Sequence, residues 1–326
     1  MKIEVRAIRF RGAIHGLAEL PGGDRLVVHS DRSLFALSWL PLQHTPGGVT
    51  VAPGPQNQAQ LLATNVAVDN AWVVQPKAQH VLLAREGALD SIDLSGKQAG
   101  QRIPVTGLPK GAFAAALAPD EQHVLLAVLR LVNPDFANYG VVMVDVTNGR
   151  LIRERTIGAG NDLELLWDAK LRTWVIGDTT KGDLWRWDGS SPAVKLAAPP
   201  AVRVHAATFT AAAEGVVVSA VFEAGGVTGL ISGPAERDKV AWTTPVKLPG
   251  TPVLQARCHP EKPLWVCLAQ EGAAQQIQIR DAAGKIQAEA AVQPAAHLDR
   301  FTWSPSNPDR LWAHGARAIA AAQLSE

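Results

Sequence analysis

Apolar and polar residues alternate along this chain in short runs, and one arrangement of them recurs. An apolar strand is followed by a turn of about five residues, usually opened by proline, and then by a second, more continuously apolar strand. The unit reads LAELPGGDRLVV at 17–28, WVVQPKAQHVLL at 72–83, AALAPDEQHVLL at 115–126 and QARCHPEKPLWV at 255–266. FTWSPSNPDRLW at 301–312 is a looser copy, and LLWDAKLRTWVI at 165–176 and ATFTAAAEGVVV at 207–218 lack the proline. Runs of this length bounded by turn residues predict β-hairpins.

The second strands begin at Leu26, Val81, Val124, Trp174, Val216, Leu264 and Leu311, at intervals of 55, 43, 50, 42, 48 and 47 residues. A propeller blade of four antiparallel strands takes roughly 40–50 residues. The spacing therefore predicts an all-β, seven-bladed β-propeller of four-stranded antiparallel blades in one domain over 1–326. Its units lie near 14–66, 67–109, 110–159, 160–201, 202–250, 251–294 and 295–326 plus 1–12. PDEQHVLLAVLR at 119–130 has the opening of a helix, with proline and acids in its first turn. Its match to 75–83 in the repeat argues for a hairpin instead.

A second recurring element pairs an aspartate with a glycine a few residues later. It appears as Asp93 with Gly96, Asp145 with Gly149 and Asp281 with Gly284, and in a shorter form as Asp188 with Gly189. Aspartate bonds the backbone two residues on, and glycine takes the positive φ of a hairpin turn. This predicts the link between third and fourth strands. The last unit ends one strand short. Lys2 to Phe10 alternates Ile3, Val5 and Ala7 against Lys2, Glu4, Arg6 and Arg9, so it is expected to complete the last blade as its outermost strand.

This pattern resembles the WD-repeat and related bacterial propellers, with Trp187-Asp188 standing for the signature dipeptide. Trp167-Asp168 sits at another place in its unit, and His15-Gly16 and His314-Gly315 reverse the family's Gly-His pair. The resemblance implies a non-catalytic protein-interaction platform or scaffold subunit of a bacterial complex. Similar bacterial propellers accompany AAA+ ATPases or von Willebrand-type domains, which implies a protein partner of that kind. A looser likeness to quinoprotein-like repeats implies a quinone-type cofactor, but no residue requires one and no cofactor is expected.

Composition narrows the classes. Lys and Arg number 31 against 30 Asp and Glu, and residues 1–160 carry 15 basic and 13 acidic groups, so no basic face for nucleic acid emerges. The charged start, Met1 to Phe10, lacks a signal-peptide apolar region, and the longest uncharged run, 33–68, is broken by prolines. With only two cysteines, Cys258 and Cys267, a cytoplasmic protein without a disulfide framework is expected. Twenty Arg against eleven Lys agree with a bacterial source.

Candidate chemistry lies in two places. Residues just before each first strand gather around one mouth of the channel: His15, Trp72, Lys110, Asp162, His205, Pro252 and His297. His15, His205, His297 and Asp162 form the alternative site, for an enzyme or for a small-molecule or metal-binding propeller. The plainer role for such a histidine is to brace a turn, as Asp31 could do with His15; no metal ligand set is assigned. The second place is 130–140, an irregular insertion between the second and third strands of the third unit. Loops carry function and aromatic side chains dominate hot spots, so Arg130, Asn133, Asp135, Phe136, Asn138 and Tyr139 are the expected partner-binding residues. The alternative is that Phe136 and Tyr139 cap their own blade. The ten tryptophans are read as packing, and the long segment 40–65 is expected to hold an outer strand near 48–52.

Overall fold

Inner strands of a closed ring of sheets are covered on both faces, which is why their sequences run apolar instead of alternating. The computed structural model describes residues 1–326 except 11, 40–49, 52–58, 96–99, 110, 134–135, 159–161, 197–202, 249–251, 273, 293–296 and 326; for 50–51, 130–133 and 136–138 it describes the backbone only. It is an all-β propeller of seven antiparallel sheets. Blade 1 comprises Ile14–Glu19, Arg25–Ser30, Ser33–Ser38 and Ala59–Thr64. Blades 2 to 6 repeat this order, from Trp72–Gln75 in blade 2 to Ile286–Ala291 in blade 6. The segment 119–130 is not helical: 119–122 form a turn and the strand His123–Asn133 follows.

Blade 7 is assembled from both ends of the sequence. Arg300–Trp303, Arg310–Gly315 and Ala318–Ser325 supply three strands, and Lys2–Phe10 pairs antiparallel with the third from Lys2 opposite Ser325 to Arg9 opposite Ala318. The period-two strand read from the sequence thus closes the ring.

An apolar cluster fills each junction between neighbouring blades. On the second strand of blade 1, Leu26 and Val28 enter the cluster shared with blade 7, and Val27 enters the one shared with blade 2. Each fully buried side chain of this size is worth about 1.5–3 kcal/mol. Tryptophans wedge these junctions as expected: Trp174, Trp187 and Trp312 are fully buried, and Trp39 meets Trp312 edge-on at 4.9 Å. Trp72 packs against the cluster between blades 1 and 2 and also lines the channel.

The turns follow the aspartate rule. Asp145 accepts the Thr147 N–H at 2.9 Å, Asp281 the Ala283 N–H at 2.9 Å, and Asp188 the Ser190 and Ser191 N–H groups at 2.8 Å. Those two backbone donors hold the Asp188 carboxyl down to about 2. On the opposite, lower face the first turn of one blade grips the first turn of the next. Lys77 donates to the Pro119 carbonyl while Glu121 accepts the Lys77 and Ala78 N–H groups; Lys170 pairs with Glu214, and Lys262 with Asp309. Blades 2, 4 and 6 supply the lysine, and blades 3, 5 and 7 the acid.

Two expectations are corrected. The outer strand of blade 1 is Ala59–Thr64, not 48–52; Thr50 and Val51 lie parallel to Arg9 and Phe10 on the edge of blade 7. Residues 48–49 and 52 of that expected strand lie outside the described residues, and the prolines and glycines of 46–55 give no alternating signal in the sequence to set against Ala59–Thr64. The insertion at 130–140 is not an irregular loop either. It lengthens the strands His123–Asn133 and Phe136–Asp145, which pair to Asn133 opposite Phe136.

Deleting residues 1–10 is expected to expose the Ala318–Ser325 edge, abolish cooperative unfolding and cause self-association. Size-exclusion chromatography with light scattering and a thermal melt check this; a monomer melting within a few degrees of the full chain contradicts it. Gly149 has φ of 71°, and a Cβ there would overlap the Pro104 carbonyl oxygen. Gly149→Ala should therefore destabilise by about 2–3 kcal/mol in urea titration.

Candidate functional site

The upper face carries the links between blades and the turns joining second to third strands, and the first strands open there into the channel. Seven equivalent first-strand positions ring a cavity of about 400 Å³: Gly16, Ala71, Ala114, Glu164, Thr208, Gln255 and Arg300. Their partners on the second strands, by backbone register, are His29, Ala84, Ala127, Gly177, Ser219, Leu268 and His314. Small or apolar residues hold this place in five blades. Only blades 1 and 7, joined at the closure seam, put histidine there.

Backbone bulges aim further side chains. The register shifts at His15, Phe113, His205 and Leu254, each near the start of a first strand. A bulge leaves its residue unpaired and redirects the side chain, and bulges gather beside functional sites. His15 and Phe113 line the cavity as a result. The His15 ring meets the His29 ring edge-on, 5.2 Å between centroids.

The cavity's two acids are held by arginines from other blades. Arg300 of blade 7 donates through Nη2 to both Asp162 oxygens of blade 4, at 3.0 and 2.9 Å, so the pair bars the mouth. Below it, Arg257 of blade 6 bonds both Glu164 oxygens at 3.1 Å and the Phe209 carbonyl at 2.6 Å. Thr208 and Thr179 hydroxyls donate to the Ala256 and Asp162 carbonyls, and neither is activated by a base. The imidazoles are less fully engaged. His29 Nε2 and His314 Nδ1 are buried without a hydrogen-bond partner, although His29 is only 1% exposed.

Of the mouth residues expected from the sequence, His15, Trp72 and Asp162 line this cavity. His205 does not: its bulged ring bonds Glu223 at 3.0 Å in the open. His297 is exposed and accepts from Gln275 Nε2 at 3.1 Å, and Pro252 belongs to a separate rim pocket with Leu254. Asp31 accepts the Ala13 N–H at 2.8 Å and does not brace His15. Among the described residues, no three His, Cys, Asp or Glu side chains form a metal-holding group. Cys258 and Cys267 are free thiols, opposite Trp265 and Ala256; burial pushes Cys267 up to about 12. Lys110 and Asp135 lie outside the described residues, as do the side chains of Arg130, Asn133, Phe136 and Asn138. Tyr139 stands edge-on to Phe113 at 6.1 Å between ring centroids, linking the hairpin to the cavity wall.

His29, His314, Glu164, Arg257 and Arg300 were not singled out from the sequence. A signal for the two histidines was present: aligning the seven second strands shows LVVH and LWAH where the other blades carry Ala84, Ala127, Gly177, Ser219 and Leu268.

Burial, then the charges of Arg300 and His15, push the His314 imidazole down to about 4. Burial, then His15, also lowers His29, against a bond to the Val66 backbone. In the unfolded chain both titrate near 6.5. Between pH 6.5 and 4 the unfolded chain therefore binds more protons, and stability falls as the pH drops through that window. His314→Gln should reduce this fall by on the order of 1–3 kcal/mol in urea titrations at fixed pH. A pH dependence equal to the wild type's removes His314 as a cause.

No family model and no curated protein matches this chain. Among solved structures 857 chains match, a breadth that marks a shared architecture, not a shared partner. One is the C-terminal WD40 domain of Sif2, with a TM-score of 0.58 at 10% identity over 96% of this chain and 82% of that one. The chain is a WD40-like seven-bladed β-propeller.

Proposed function

We propose that this protein is a non-catalytic protein-interaction platform whose upper face receives the partner. The observation that carries the reading is the height of its second-to-third-strand hairpins. In blade 3 these strands run 11 and 10 residues, against 6 and 6 in blade 1. Blades 5 and 6 are also extended, with second strands of 10 and 8 residues, so raised hairpins wall part of the rim. Rigid hairpins of unequal height around a mouth suit recognition of a shaped protein surface. WD40-type propellers are commonly such platforms, and the fold alone favours this class without naming a partner.

The hairpin 123–145 carries Arg130, Asn133, Phe136, Asn138 and Tyr139 of the residues expected to bind, and an aromatic pair there would act as a hot spot. The class of partner implied by the resemblance, an AAA+ ATPase or von Willebrand-type component, is the first to test. The mouth's acids are spent on arginines and its hydroxyls on carbonyls.

The test is affinity capture from the native host with wild type and the Phe136→Ala/Tyr139→Ala variant, alongside metal analysis of the purified protein. A stoichiometric partner is expected, its affinity weakened about tenfold or more in the variant with an unchanged melting temperature. A stoichiometric metal with no partner would discard the platform in favour of a channel site.

A further inference from the structure

The mouth holds a chemistry that a rim platform does not require. We propose that it binds a carboxylate group, held jointly by Arg300 and the imidazoles of His15, His29 and His314. The site does not depend on the platform reading, because its residues lie in the channel and not on the hairpin 123–145.

Charge accounting leaves only the imidazoles of the cavity without a charged partner. Both acids of the cavity, Asp162 and Glu164, are matched by Arg300 and Arg257. Blade 2 contributes Trp72 and Asn70 there, and blade 3 Phe113, none of them charged. What remains is three imidazoles lining the cavity, His15 edge-on to His29, with burial disfavouring the charged forms of His29 and His314. His29 and His314 have unpartnered ring nitrogens there. Such a buried atom costs on the order of 1–3 kcal/mol, so each is a hydrogen bond open to a ligand.

The Arg300–Asp162 pair shows that this mouth accepts a carboxylate. Asp162 occupies Nη2 alone, and the Arg300 and Asp162 side chains are 58% and 36% exposed. An incoming carboxylate competes with Asp162 for the same guanidinium, an exchange of like for like. Trp72 and Phe113 supply an apolar wall for its carbon chain. His29 bonds the Val66 backbone through one ring nitrogen, so its neutral form presents a bare acceptor to the cavity. To donate to a carboxylate it must take a proton from solvent. Asp162 and Glu164, which also face the cluster, stay engaged with arginine or are displaced, and Arg257 remains paired. Binding therefore takes up protons, and affinity rises as the pH falls.

Two sources could present this group: a free small dicarboxylic acid or an acidic protein segment. Titration calorimetry with succinate and with acetyl-tetraglutamate amide, at pH 6 and pH 8 in two buffers of different ionisation enthalpy, tests both. Binding of at least one probe is expected at pH 6, about tenfold weaker at pH 8, with net proton uptake. Succinate alone binding identifies a free acid, and the peptide alone an acidic segment. Arg300→Gln should weaken binding about tenfold. Asp162→Asn, which removes the internal competitor, should strengthen it several-fold, a gain that damaged folding cannot produce. Absence of binding by both probes at pH 6, binding without pH dependence, or binding indifferent to Arg300→Gln overturns the proposal. Loss of the rim partner in Phe136→Ala alone, which leaves the Tyr139–Phe113 contact in place, with succinate binding intact, separates this site from the platform.

Discussion

Closure of blade 7 by Lys2–Phe10 is the constraint on which the rest of the molecule depends. Pairing from Lys2 opposite Ser325 to Arg9 opposite Ala318 covers an edge that would otherwise stand open. The same seam is fastened by side chains: the buried Glu19 accepts from Trp312 Nε1 and Ser306 Oγ, and Arg310 donates to the Gly23 carbonyl at 2.7 Å. Ile8, Phe10 and Ile14 share one apolar cluster with Trp312 and Ile319. Only in a closed ring does every inner strand have neighbours on both faces. The channel exists only because the ring closes.

The two faces of the ring solve different problems. On the lower face, polar groups of adjacent turns satisfy one another, and His259 illustrates how completely. Its Nδ1 accepts the Glu261 and Lys262 N–H groups at 3.1 Å, so Nε2 carries the proton and donates to Asp309 at 3.2 Å. The exposed Lys170–Glu214 pair contributes little by itself, about 0–1 kcal/mol, and serves more to set register than to add stability. On the upper face the arginine–acid pairs reach across the channel, from blade 7 to blade 4 and from blade 6 to blade 4. Two imidazoles lining the channel, His29 and His314, keep unused hydrogen-bonding capacity.

Much of the fold was legible in the sequence because its physics is local or periodic. Second strands such as LVV at 26–28 and VLLA at 81–84 are covered on both faces, so they announce themselves as apolar runs at a nearly fixed interval. Asp145 with Gly149 marks a turn whose bonds lie within five residues. Lys2–Phe10 shows its role by strict alternation, since it has an outer side facing solvent. The outer strand of blade 1 was misplaced where glycine and proline interrupt the periodic signal.

The site was legible only in part, and the reason is geometric. His15 and Asp162 could be placed at the mouth because they precede first strands. Whether a side chain there faces the channel depends on a one-residue bulge: the same irregularity turns His15 inward and leaves His205 in solvent beside Glu223. Arg300 and Asp162 are 138 residues apart, and the His29 and His314 segments come together only at the seam. By itself the sequence determined the number of blades, their turns and the strand that closes them, because burial on both faces and turn chemistry recur in each unit. Only the tertiary structure decided which side chains share the channel, because ring closure and local bulges, not spacing along the chain, set where they point.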